Sequence, residues 1–98
     1  MSEPRFGVFL GPVARRLPAL EQQVQVAEES GFDYVSIQDH PYVPDFVDPF
    51  TLIAHLAART SRIRFMTNVA NLPLRPAPML AKTAATLFQW ESGRRPVV

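Results

Sequence analysis

The sequence predicts an α/β fold built on a parallel sheet. Three observations carry this reading. Short apolar runs alternate with longer amphipathic segments in the order β-α-β-α-β-α. The apolar runs are near-continuous, as in strands covered on both faces. Prolines gather between the periodic segments, where a residue with fixed φ and no amide donor does least harm.

The first strand is read in "RFGVFL", residues 5–10, with Gly7 allowing a close backbone approach. Gly11 and Pro12 end it. Residues 18–33 read as a helix, because Leu20, Val24 and Ala27 fall on one face. Pro18 suits its first turn, Gly31 suits the position after its last, and Phe32 is expected to fold back onto the apolar face. "YVSIQ", residues 34–38, is the second strand. Residues 48–60 are the second helix, with Asp48 as N-cap, Pro49 at the first helical position, and Leu52, Ile53, Leu56 and Ala57 as its stripe. The third strand runs from about Ile63 to Val69. The third helix covers residues 76–90, with Leu80, Ala84 and Leu87 on one face. Right-handed crossovers join such units.

Two architectures share this grammar: an open doubly wound sheet and a (β/α) barrel. Both bind ligands at the carboxyl ends of the strands. Those ends are Leu10-Gly11-Pro12, Gln38-Asp39-His40 and Asn68-Val69-Ala70-Asn71. Two of the three are polar and would converge on one face.

Bulk properties exclude several classes. With 98 residues the chain suffices for one small domain. A hydrophobic share of 47% with 19% charged residues is globular, not disordered. Ten basic and nine acidic residues leave a formal charge of +1, too little to make nucleic acid the expected partner. No apolar run approaches the roughly 18–20 residues of a membrane span, so no membrane partner is expected. The absence of cysteine rules out a disulfide scaffold and fits the cytoplasm. Two histidines and no thiol make a transition-metal site an unexpected one. Glycine-rich dinucleotide and phosphate-loop fingerprints, a His-Glu-x-x-His pair and a serine elbow are all absent.

Each candidate residue carries two readings. His40, just past a strand, is a loop or capping residue, or a functional imidazole. Asp39 orients that ring, caps loop amides or binds a ligand hydroxyl. Asn68, unusual in a strand, marks a bulge or sets an amide against a ligand. Asn71 belongs to a turn before Pro73, or to the same ligand face. Arg75 precedes the third helix, where it either meets a phosphate or does not. His55 is read as a satisfied histidine on a helix flank, Arg15 and Arg16 as a solvated loop, and Trp90 as packing.

The stretches "RFGVFL", "ESGFDYVSIQDHPY" and "LAARTSRIRFMTNVANLPLRPAPMLAKTAATL" resemble the luciferase-like monooxygenase family, nearest to its deazaflavin-dependent oxidoreductases. The resemblance covers residues 5–88 and implies a (β/α)8 TIM barrel. It implies a deazaflavin (coenzyme F-420) or FMN at the carboxyl ends of the strands, a small-molecule substrate and hydride transfer. His40 matches a proton donor beside the ring, and Asp39 and Asn71 match cofactor contacts. Asn68-Val69 matches the place where some relatives carry a non-proline cis peptide behind the ring. Phe9 and Val69 would add apolar platform. The chain departs from the pattern in its tail, residues 89–98, and Tyr42 stands near where an aromatic follows the histidine in relatives. The expectation is therefore one partial domain, residues 1–98: the first three βα units of a truncated barrel, with a parallel sheet. Unpaired sheet edges predict a homo-oligomer. The alternative is an inactive fragment that self-associates or only binds a ligand.

Overall fold

The computed structural model describes residues 3–90. The tail expected to diverge lies almost wholly outside the described residues. Strand β1 is Gly7–Leu10, β2 is Tyr34–Ile37 and β3 is Arg64–Thr67. Helix α1 is Leu17–Glu29, α2 is Pro49–Ala57 and α3 is Ala77–Trp90. All six elements fall where the periodicity puts them, with the strands trimmed to four residues each. Two 3-10 turns, Ala14–Arg16 and Leu72–Leu74, were not foreseen.

The sheet is parallel in the sequential order β1-β2-β3. Register pairs Val35 with Val8 and Phe65, and Ile37 with Leu10 and Thr67. Those residues share one face, and it is the covered one. Val35, Ile37 and Phe65 are sealed there with Leu20, Val24 and Ala27 of α1, Ile53 and Leu56 of α2, and Leu87 of α3. The alternate set faces the other way: Phe9 is 52% and Met66 36% exposed. All three helices thus contribute to a core on one side of the sheet. A doubly wound sheet places helices on both sides, whereas a barrel keeps them outside. One-sided cover with sequential strand order decides for the barrel arrangement. Among the described residues β1 and β3 are each paired on one side only.

Two glycines have local work. A Cβ on Gly7 would stand 3.0 Å from the Tyr34 Cβ, so β1 and β2 approach closely there. Gly31 has φ +85° and ends α1. The Phe32 amide donates to the Ala27 carbonyl (3.0 Å) and the Gly31 amide to the Glu28 carbonyl (3.3 Å), the paired bonds of a Schellman cap. Phe32 then packs against the core as expected.

Glu28 fastens α1 to the start of β3. Its carboxylate accepts the amides of Ser61 (2.9 Å), Arg62 (2.8 Å) and Ile63 (2.9 Å). Ile63 is fully buried, so its amide has no ready substitute in water. Glu28→Ala is expected to cost about 1–3 kcal/mol, read by urea unfolding. A loss under roughly 0.5 kcal/mol would mean that solvent replaces the carboxylate.

The α2 cap is as read: Asp48 accepts from the Thr51 amide and hydroxyl, both at 2.9 Å. His55 is satisfied on its helix flank, with Nε2 2.6 Å from Glu21 Oε2. Arg59 Nε lies 3.3 Å from the same carboxylate oxygen, which completes the group. Trp90 corrects the packing reading, because it is 71% exposed. It sits at the last turn of α3, past Leu87, the helix's buried residue.

Candidate functional site

The polar ends of β2 and β3 meet at the carboxyl edge of the sheet. The Asn68 amide donates to the Ile37 carbonyl (2.9 Å), extending the β2–β3 ladder by one step. The Asn68–Val69 bond is cis, at the position the resemblance picked out. Val69 is 69% exposed and Asn68 is exposed beside it. The Asn71 amide then returns to β2, donating to Asp39 Oδ2 (2.7 Å). Residues 68–71 therefore form an arch with both feet on the end of β2.

His40 follows Asp39 directly and is partly exposed. Two aromatic rings lie against it: Tyr42, with centroids 5.4 Å apart and planes at 29°, and Phe46, at 6.3 Å and 12°. Tyr42 thus stands where the expected aromatic neighbour would. Among the described residues no hydrogen bond engages the His40 ring.

The Asp39 carboxylate has a different setting. Its side chain is fully buried. Arg75 grips it with two parallel bonds, Nε to Oδ2 at 2.6 Å and Nη2 to Oδ1 at 2.9 Å. The same guanidinium donates to Asp48 and lies 4.7 Å above the Phe50 ring. So Asp39 caps a loop amide, one of its three readings, and turns its charge to Arg75. Arg75 in turn spends its donors on two carboxylates. Their two negative charges outweigh its one, so within the chain Nε and Nη2 of Arg75 serve Asp39 and Asp48.

Burial pushes the Asp39 carboxyl up, but Arg75 and the Asn71 amide outweigh it and hold the group below the usual carboxylate range. Asp48 behaves alike: burial raises it, while Arg75 and the Thr51 amide bring it down further. Arg75 is raised by Asp39, so it stays charged at any working pH. The sign follows. A depressed carboxyl contributes stability that is complete above about pH 4, the unfolded aspartate value, and lost as pH falls below it. The denaturant midpoint is therefore expected to drop more between about pH 6 and pH 3 in the natural chain than in D39N. Equal drops would show that Asp39 is not the group responsible.

Sequence reasoning brings His40 and Asp39 after β2, and Asn68, Val69 and Asn71 after β3, to one face of the sheet's carboxyl edge, and they lie at those two strand ends. It missed the bonds joining them. The sequence pattern shows Asp48 only as a cap and carries no signal for Phe46. Arg75 lies 36 residues from Asp39 and 27 from Asp48 in the chain, beyond any local pattern.

Parallel βα units, helices on one face and polar strand ends define a barrel-type α/β protein with its candidate site at the carboxyl edge. The comparisons narrow the class. Residues 2–97 match the luciferase-like monooxygenase family, and the chain belongs to it. Uncharacterized proteins of Mycobacterium tuberculosis and Mycobacterium bovis are 31% identical over 90 residues, 81% of this chain and 31% of theirs. Coenzyme F-420-dependent tetrahydromethanopterin reductase from Methanopyrus kandleri superposes with a TM-score of 0.84 at 27% identity, over 98% of this chain and 26% of its own. The oxygenating constituent of 3,6-diketocamphane monooxygenase from Pseudomonas putida, in complex with FMN, gives 0.77 at 26% identity, over 95% and 28%. A monooxygenase from Streptomyces bottropensis gives 0.76 at 32% identity, over 96% and 32%. The chain thus spans about a third or less of the proteins it matches.

Proposed function

We propose that this chain supplies one wall of a flavin or deazaflavin site in an oxidoreductase that transfers a hydride to or from a small-molecule substrate. The observation that carries this reading is the fastening of the Asn68–Asn71 arch to Ile37 and Asp39, the residue before His40, at the ends of adjacent parallel strands. The residues fit such a group. Val69 and Phe9 are apolar side chains left largely exposed among the described residues. A planar ring would gain by covering them. Asn68 offers a carboxamide at the same edge, and His40 an imidazole free of hydrogen bonds among the described residues. When bound, the cofactor supplies hydride chemistry. The chain's part is to seat the ring and to give or take a proton at a His40 nitrogen. Tyr42 and Phe46 limit the imidazole's rotation and so orient it. Asp39 holds Asn71 in place from below rather than meeting the ligand with its buried carboxylate. A cysteine-free chain suits a cytoplasmic setting.

Titration with FMN and with coenzyme F-420, followed by ring fluorescence, tests this. At least one is expected to bind the chain, and failure of both would sink the reading. In an active assembly His40→Ala is expected to lower the hydride-transfer rate by about 10²–10⁴-fold with little change in cofactor affinity. An unchanged rate would remove His40 from proton transfer.

The open sheet face favours a second feature. Phe9 and Met66 are exposed on it, and two strand edges lack neighbours among the described residues. The chain is accordingly proposed to act as a homo-oligomer. Sedimentation finding a stable folded monomer at micromolar concentration would count decisively against this.

A further inference from the structure

The geometry points to Arg75 as the positioning residue of the site: one guanidinium locks the Asn68–Asn71 arch, the end of β2 that carries His40, and the start of α2 into a single register. The inference rests on the flavin-site reading for its purpose, though not for its geometry.

One carboxylate oxygen joins these parts. Asp39 Oδ2 accepts both the Asn71 amide (2.7 Å) and Arg75 Nε (2.6 Å). Both ends of the segment 71–75 are thus fastened to the same atom. Between them lies the 3-10 turn Leu72–Leu74, closed by the Arg75 amide on the Leu72 carbonyl (3.1 Å). The other foot of the arch is the Asn68 amide on Ile37, two residues before Asp39. The exposed pair Asn68 and Val69 is therefore held between two anchors on β2. One of these is backbone, and it is set by the sheet. The other is a side chain, and its rotamer is set by Arg75.

Arginine suits this place and lysine does not. The planar fork engages both Asp39 oxygens while Nη2 also reaches Asp48, and its flat face covers Phe50. An ammonium keeps the charge but offers no parallel pair of donors and no plane to stack. Charge retained with geometry lost is what separates positioning from simple charge balance. The lever also reaches His40, because Asp39 precedes it in the chain.

The test is amide hydrogen exchange by mass spectrometry on the full chain and its R75K variant, with FMN and coenzyme F-420 titrations on both. R75K is expected to speed exchange in peptides covering residues 68–75 by tenfold or more, with core peptides of β2 and α2 unaffected. Affinity for the bound cofactor should fall by roughly tenfold to a hundredfold, as misplacement of supporting groups does. R15K, at an exposed pair with Asp45, is the control and should change neither. Unaltered exchange at 68–75 in a folded R75K chain would overturn the inference, as would faster exchange with unaltered affinity. If R75K does not fold, D39N keeps the side chain's size and one acceptor oxygen and carries the same test. If the natural chain binds neither cofactor, the flavin reading falls, while the exchange arm still decides whether Arg75 holds the arch.

Discussion

Arg75→Ala is expected to destabilise the chain by about 3–5 kcal/mol, the cost of leaving a buried charge without its partner. Asp39 has no exposed side-chain surface while Arg75 is in place, so the guanidinium is the partner that balances its charge. Alanine removes two bonds to Asp39, one to Asp48 and the cover of Phe50. Among the described residues the Asn71 amide then remains as the donor to the carboxylate. Small domains hold roughly 5–15 kcal/mol in all, so this one change consumes a large share. Denaturant unfolding reads the loss, and its pH dependence gives a second signature. In the natural chain the carboxyl is held down and stability falls with acid. Without Arg75 burial prevails, the carboxyl rises above its unfolded value, and the penalty is relieved as pH falls through it. The slope against pH should therefore flatten or reverse in the variant. A loss under about 1 kcal/mol with an unchanged slope would mean that the loop opens freely and Asp39 is not sealed.

Phe65→Ala is the second large effect, expected at about 3–5 kcal/mol. Phe65 is 1% exposed and among the largest side chains of the core. It stands beside Val35 in register and faces the helices. Its removal leaves a cavity beneath β3, a strand already held from one side only among the described residues. The comparison that makes the test sharp is Met66→Ala, one residue on. Met66 faces the open side, where period-two geometry puts it, and at dilutions that hold the chain monomeric should change stability by no more than about 0.5 kcal/mol. If Met66 costs as much as Phe65, the open face is covered in solution. A second copy of the chain is then the partner to look for.

Much of the fold was legible because its signals are local. Leu20, Val24 and Ala27 share a helical face whatever surrounds them, and they are buried. Asp48 followed by Pro49 reads as a helix start because capping and fixed φ act within one turn, and the cap forms. Gly31 reads as a helix stop for the same reason. The strands shrank at their ends, where pairing rather than residue type sets the limit. Trp90 misled because its size suggests burial, while burial depends on a neighbour that local pattern does not reveal.

The site divides along the same line. That His40, Asp39, Asn68 and Asn71 sit at strand ends follows from the order of the strands, which the pattern of apolar runs already specifies. The apolar stripe of each helix and the cap of α2 were determined there too. The roles within the cluster were decided only by tertiary structure. Asp39 turned to Arg75 and Asn71, Asp48 joined the same guanidinium, and Phe46 came to rest against His40. These choices depend on which side chains from separated segments come within about 3 Å, and on how much water burial leaves them. Periodicity and capping act over a turn or a pleat, so they specify elements. A hydrogen bond between residues three dozen positions apart exists only once the elements have packed.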